Sequence, residues 1–158
     1  MDLQLIIAIL LTMAPVVELR GGLPVAIQYA LSHGYAVTPI FLLILILNIL
    51  MIFPILFFLD YFHKRLLKFK AYNKFAEIYL KRVQRKAEKI EKKMGSLGYL
   101  ALALFVGVPL PGTGAWTGSI ILWFLDLDRK KAIPSVALGV CIAGIAILIT
   151  TLSVLKIF

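Results

Sequence analysis

Long apolar runs, short Gly/Pro-rich breaks and one basic stretch organise this chain. Crossing about 30 Å of hydrocarbon takes about 20 helical residues at about 1.5 Å each. Two runs reach that length, residues 35–59 and 132–155, and each predicts a transmembrane helix. Asn48 and Pro54 fall within the first, where both are tolerated if neighbouring helices satisfy the freed backbone groups. The remaining apolar runs are too short to span. Residues 3–17 make about 22 Å of helix, and are followed by the breaker 18–24 and a second short run over 25–31. The order returns with a short run over 99–108, the breaker 109–114 and another short run over 115–125.

Short helix, Gly/Pro turn, short helix predicts a re-entrant hairpin, because non-helical backbone inside a bilayer survives only where protein or a water-filled cavity shields it. Each hairpin precedes one full-length span, and at an offset of 93 residues Arg20-Gly21-Gly22 falls on Thr113-Gly114-Ala115. The order of elements predicts an internal repeat. If each hairpin returns to its own side, residues 60–98 and 126–131 share a side that holds fifteen of the seventeen Lys and Arg residues, which makes it cytoplasmic. One hairpin then enters from outside and the other from the cytoplasm, so the repeats are inverted and their turns meet near the midplane.

The fold class read from the sequence is an all-α integral membrane protein in one domain over 1–158. It comprises a re-entrant hairpin over 1–34, a transmembrane helix over 35–59 and a basic cytoplasmic amphipathic helix over 60–98. A second re-entrant hairpin over 99–126 and a transmembrane helix over 132–155 complete it. Helical spacing supports the third piece: between Phe62 and Leu97 apolar residues recur in steps of three and four. A stripe of that kind packs on lipid or on a partner helix.

Composition agrees. Of 158 residues, 61% are hydrophobic and 16% charged, which excludes a soluble globule. The net charge of +9 would suit a nucleic-acid partner, but twelve of the basic residues lie in 60–98, joined directly to apolar spans. Cytoplasmic retention and anionic headgroups explain that placement more simply, so no nucleic-acid partner is expected. Cys141 alone can form no intramolecular disulfide. The N-terminus lacks the positive region and cleavage site of a signal peptide and reads as mature structure.

Glu18 and Arg20 lie in the first turn, at a depth where one charge costs about 2.5–3.5 kcal/mol or more. They can neutralise each other or face the opposite hairpin. Arg offers a planar donor fork for phosphate or carboxylate, and a buried Glu can titrate near neutrality. The functional reading is that Arg20 binds an anionic headgroup while Glu18 carries or gates a coupling proton; the plainer reading is that the pair staples the hairpins together. Gly21, Gly22 and Pro24 permit the first turn, and Pro109, Pro111, Gly112 and Gly114 the second. Half-helix N-termini after the turns can aim amides at an anion, and Thr113, Trp116, Thr117 and Ser119 add hydroxyl and indole donors. Asp126 and Asp128 cap and orient a helix start, and Asn48 is an interhelical hydrogen-bond partner. His33 and His63 lack companions at ligand spacing, so neither a metal nor a cofactor is expected. No nucleophile, base and orienter arrangement appears, since the hydroxyls near the second turn have no His nearby in the sequence, so an enzyme is not expected.

At the two turns the sequence resembles the small multidrug export protein family, which belongs with the DedA-like (VTT domain) membrane proteins. The segment Pro15-Val-Val-Glu18-Leu-Arg20-Gly-Gly-Leu-Pro24 is similar to the family's E-L-R-G-x-x-P signature, and Pro109-Leu-Pro-Gly-Thr-Gly-Ala-Trp116 to its P-x-P-G-T-G-A segment. Gly22 stands where Ala is the more usual residue. The resemblance implies a pair of re-entrant hairpins with inverted topology. The family name implies drug efflux, and the DedA-like group implies movement of lipid-linked phosphates.

Two functions follow as expectations. The first is a proton- or ion-coupled transporter in the plasma membrane, moving an amphipathic, anionic or drug-like substrate, with membrane lipids around it and a second copy completing a homodimer. The second is a non-transporting scaffold whose basic helix binds anionic lipid or a partner protein. Charges and broken helices at mid-depth are costly for an anchor and favour the first.

Overall fold

The computed structural model describes residues 2–61, 98–110 and 112–157, so most of the basic segment, including His63, lies outside the described residues, as does Pro111. Every regular element among the described residues is an α-helix: α1 (Leu3–Met13), α2 (Glu18–Ser32), α3 (Val37–Leu50), α4 (Ile52–Tyr61), α5 (Gly98–Gly107), α6 (Ala115–Phe124) and α7 (Arg129–Ile157). Asp60 therefore closes α4 and Gly98 opens α5, where the sequence had assigned both to the basic segment.

Two helical stretches are long and apolar enough to cross a membrane, Val37–Tyr61 and Arg129–Leu155. The first contains a break at Met51, which separates α3 from α4. Pro54 accounts for it, having no N–H for the Leu50 carbonyl. Around α3 the side chains are apolar on every face: Ile44 and Leu45 are buried, whereas Leu42, Leu43, Ile46 and Leu50 are exposed. A helix that is hydrophobic all round and exposes half of that surface has hydrocarbon as its solvent.

α1 ends because Ala14 is extended, at φ −70° and ψ 135°, as the residue before a proline prefers. Val16 and Glu18 then take left-handed φ values of 78° and 46° and reverse the chain. This overturns the sequence placement of the first turn. Pro15 makes the break, and α2 runs through Gly21, Gly22 and Pro24 without interruption. The glycines are used instead for close contact: a β-carbon at Gly22 would stand 1.8 Å from Thr12 Oγ1 and 2.6 Å from the Ala8 carbonyl oxygen.

Named contacts fix the directions. Tyr29 Oη donates to Asp2 at 2.8 Å, so the end of α2 meets the start of α1 and the two are antiparallel. Asn48 reaches Thr12, so α3 ends beside the end of α1 and runs parallel to it. At the opposite end of the molecule, Asp60 accepts from Trp123 Nε1 at 3.1 Å and from both terminal nitrogens of Arg129 at 2.8 Å, gathering the ends of α4 and α6 around the start of α7. Gly139 packs on Ala103 and Val106, and Gly107 on Ile142, which sets α5 and α7 parallel. The core between these helices is aliphatic, with Leu23, Ile27, Ile44, Ile52, Leu102 and Ile121 inaccessible to solvent.

Candidate functional site

Glu18 opens α2 directly after the Pro15 turn and is 6% exposed. Its carboxylate reaches across to α6, where Oε2 accepts the Ala115 N–H at 2.9 Å and Oε1 the Trp116 N–H at 3.1 Å. These are the first two amides of α6, which have no partner within their own helix. A carboxylate from the first pair of helices thus caps a helix of the second and meets the positive end of its dipole.

Arg20, two residues on, turns the same way. One terminal nitrogen donates to the Thr113 carbonyl and, at 2.8 Å, to Thr113 Oγ1. That hydroxyl also lies 2.8 Å from the Leu110 carbonyl and accepts the Leu110 N–H at 3.3 Å, closing the bend between α5 and α6. Gly112 supplies the left-handed residue in that bend at φ 78°. The sequence left open whether Glu18 and Arg20 pair with each other or face the opposite hairpin; their hydrogen bonds go to the second bend.

α1 stops in the middle of the molecule, and its last carbonyls still find donors. Asn48 Nδ2 donates to the Thr12 carbonyl at 3.0 Å, and Trp116 Nε1 to the Met13 carbonyl at 3.1 Å. The Asn48 assignment follows from its partner, because only the amide nitrogen can bond a carbonyl. Depth can be read from register. Asn48 lies 11 residues after Val37 and 13 before Tyr61, and Ala143 lies 14 after Arg129 and 12 before Leu155. Glu18, Arg20, Asn48, Thr113, Gly114 and Ala143 line one small cavity, midway along both long helices.

The remaining sequence candidates divide. Of the donors Thr113, Trp116, Thr117 and Ser119, only Thr113 bonds Arg20. Trp116 serves α1, Ser119 Oγ donates to the Ala115 carbonyl at 2.6 Å, and Thr117 is buried in α6. The α6 amides that the sequence offered to an anion are held by Glu18. Pro109 lies in the bend, and Gly114 touches Glu18. Gly21 and Gly22 lie within α2, and Pro24 lines a separate cleft of about 280 Å³ between α2 and α7, with Gln28, Thr150 and Val154. Asp128 accepts the Lys130 N–H at 3.0 Å as a cap for α7, whereas Asp126 occupies a left-handed turn at φ 48°. The Asp60–Arg129–Trp123 cluster lies outside the sequence candidates; its signal is an acidic residue in the last turn of an apolar span ahead of the cationic start of the next. Among the described residues no three His, Cys, Asp or Glu side chains gather to hold a metal ion.

Over residues 18–146 the sequence matches the protein family described as "Putative small multi-drug export protein". That stretch begins at Glu18, directly after the Pro15 turn, and takes in α2 to α6, the second bend and the first part of α7. Comparison with curated proteins and with solved structures gave no match.

Proposed function

The chain belongs to the small multi-drug export protein family, and from that premise we propose that it is a coupled transporter for an amphipathic substrate with an anionic headgroup. The observation that carries this reading is the meeting of Glu18 and Arg20 with the second bend, midway along both candidate spans. Ionisable groups at that depth are expensive, and substrate or ion pathways are where membrane proteins keep them. Arg20 is the headgroup ligand and Glu18 the residue that carries or gates the coupling proton.

In this reading α1–α2 and α5–α6 are re-entrant hairpins of inverted topology. One enters from the Asp2 and His33 end and the other from the Asp60 and Arg129 end. Support comes from the order of elements, which in each half is a short helix, a break and a second short helix ahead of a long apolar stretch. The same architecture supports placing the chain with the DedA-like proteins. The basic segment is cytoplasmic, the membrane is the plasma membrane, and a homodimer covers the exposed apolar helix faces. Substrate reaches the site along the α2–α7 cleft, because Arg20, Pro24 and Gln28 follow one another at four-residue spacing on one face of α2.

The test is uptake by proteoliposomes of a fluorescent lipid phosphate and of an amphipathic dye, with and without a proton gradient. Arg20→Ala abolishes movement, and Glu18→Gln keeps substrate binding but uncouples movement from the gradient. Equal transport by both variants and the parent would overturn the assignment of these residues.

A further inference from the structure

Two buried polar atoms near the middle of the molecule have no partner among the described residues: Arg20 Nε, a donor, and Asn48 Oδ1, an acceptor. Asn48 is fully buried, and its Nδ2 is already committed to the Thr12 carbonyl. Both residues line the same cavity. A buried polar atom left unsatisfied bears its full desolvation cost, and here the two residues that carry such atoms, of opposite hydrogen-bonding sense, line one space.

That space offers about 10 Å³ to the centre of a water-sized sphere. One water needs about 10–15 Å³ on this measure and two to four polar partners. We infer that the cavity is a binding site for a single water molecule that accepts from Arg20 Nε–H and donates to Asn48 Oδ1. The water's second O–H is left for Glu18, whose carboxylate keeps lone pairs beyond those that cap α6. A cation does not suit the site, since a guanidinium lines it. Val106, Val140, Ala143 and Ile147 make up the apolar part of the wall. The bridge joins the first long helix, which carries Asn48, to the guanidinium that holds the second bend.

The experiment is magnetic resonance on the full chain in lipid nanodiscs with ¹⁵N-labelled arginine, the Arg20 Nε–H signal being assigned by its absence in Arg20→Lys. The expected result is a protected Nε–H with a cross-peak to water. Ala143→Val fills the cavity from α7 without touching a polar group and should remove that cross-peak while the protein remains monodisperse. Asn48→Leu should remove it as well; if that variant does not fold, Ala143→Val decides. Absence of the cross-peak in the parent protein overturns the site, and so does its persistence in Ala143→Val. Neither readout involves transport, so a dry cavity overturns the water and leaves the transport reading standing. A hydrated cavity in a protein that moves no substrate does the reverse.

Discussion

Glu18 lies so close to Gly114 that a β-carbon at position 114 would stand 1.9 Å from Oε2 and 2.7 Å from the carboxylate carbon. Nothing larger than hydrogen fits between the α6 N-terminus and the group that caps it. Gly114→Ala is therefore expected to expel the carboxylate and strand the Ala115 and Trp116 amides, at a cost of about 2–4 kcal/mol. Gly107→Ala is the control, since its β-carbon would meet the Ile142 side chain at 3.1 Å and the Gly139 carbonyl oxygen at an ordinary 3.5 Å. Thermal unfolding of both variants in detergent, followed by size-exclusion chromatography, checks the difference.

Gly22→Ala is expected to destabilise by about 1–3 kcal/mol, the cost of overpacking a tight helix contact. Its β-carbon meets Thr12 Oγ1, and also the Ala8 carbonyl and Thr12 amide nitrogen at 2.6 and 2.8 Å. Because two of those atoms are backbone, combining the change with Thr12→Ala should restore little. Gly21→Ala meets only the Val17 side chain and should cost less. Full stability of Gly22→Ala would show that α1 and α2 are not held this closely.

The Asp60–Arg129 pair should matter less than its geometry suggests. Its bonds are bidentate, but the side chains are 28% and 51% exposed, and exposed ion pairs contribute about 0–1 kcal/mol. Asp60→Asn should lower the melting temperature slightly, and the loss should shrink in high salt. A loss that is large and independent of salt would show that the pair is worth more than an exposed ion pair.

What the residues announced in advance was local. The bend between α5 and α6 is marked by Pro109, Gly112 and Gly114, whose effects on the backbone do not depend on the rest of the fold. The two long spans were legible from length and composition. The sequence places the first turn too late because Gly21, Gly22 and Pro24 read as turn formers, while the pre-proline restraint on Ala14 ends α1 sooner. Glycine in a helix can serve close packing as well as bending, and sequence alone does not separate the two. The partners of Glu18 and of Asp60 were not legible either. They lie 97 and 69 residues away, and no periodicity links positions that far apart.

The C-terminal carbonyls of α1 are held from outside their own helix, Thr12 by α3 and Met13 by α6. Pulling α1 away from either neighbour would leave a bare carbonyl in hydrocarbon, where nothing replaces the lost donor. The tip of α1, the last turn of α3 and the first turn of α6 therefore travel as one rigid body. Any hinge lies beyond them, in the link from α2 to α3 or in the bend that precedes α6.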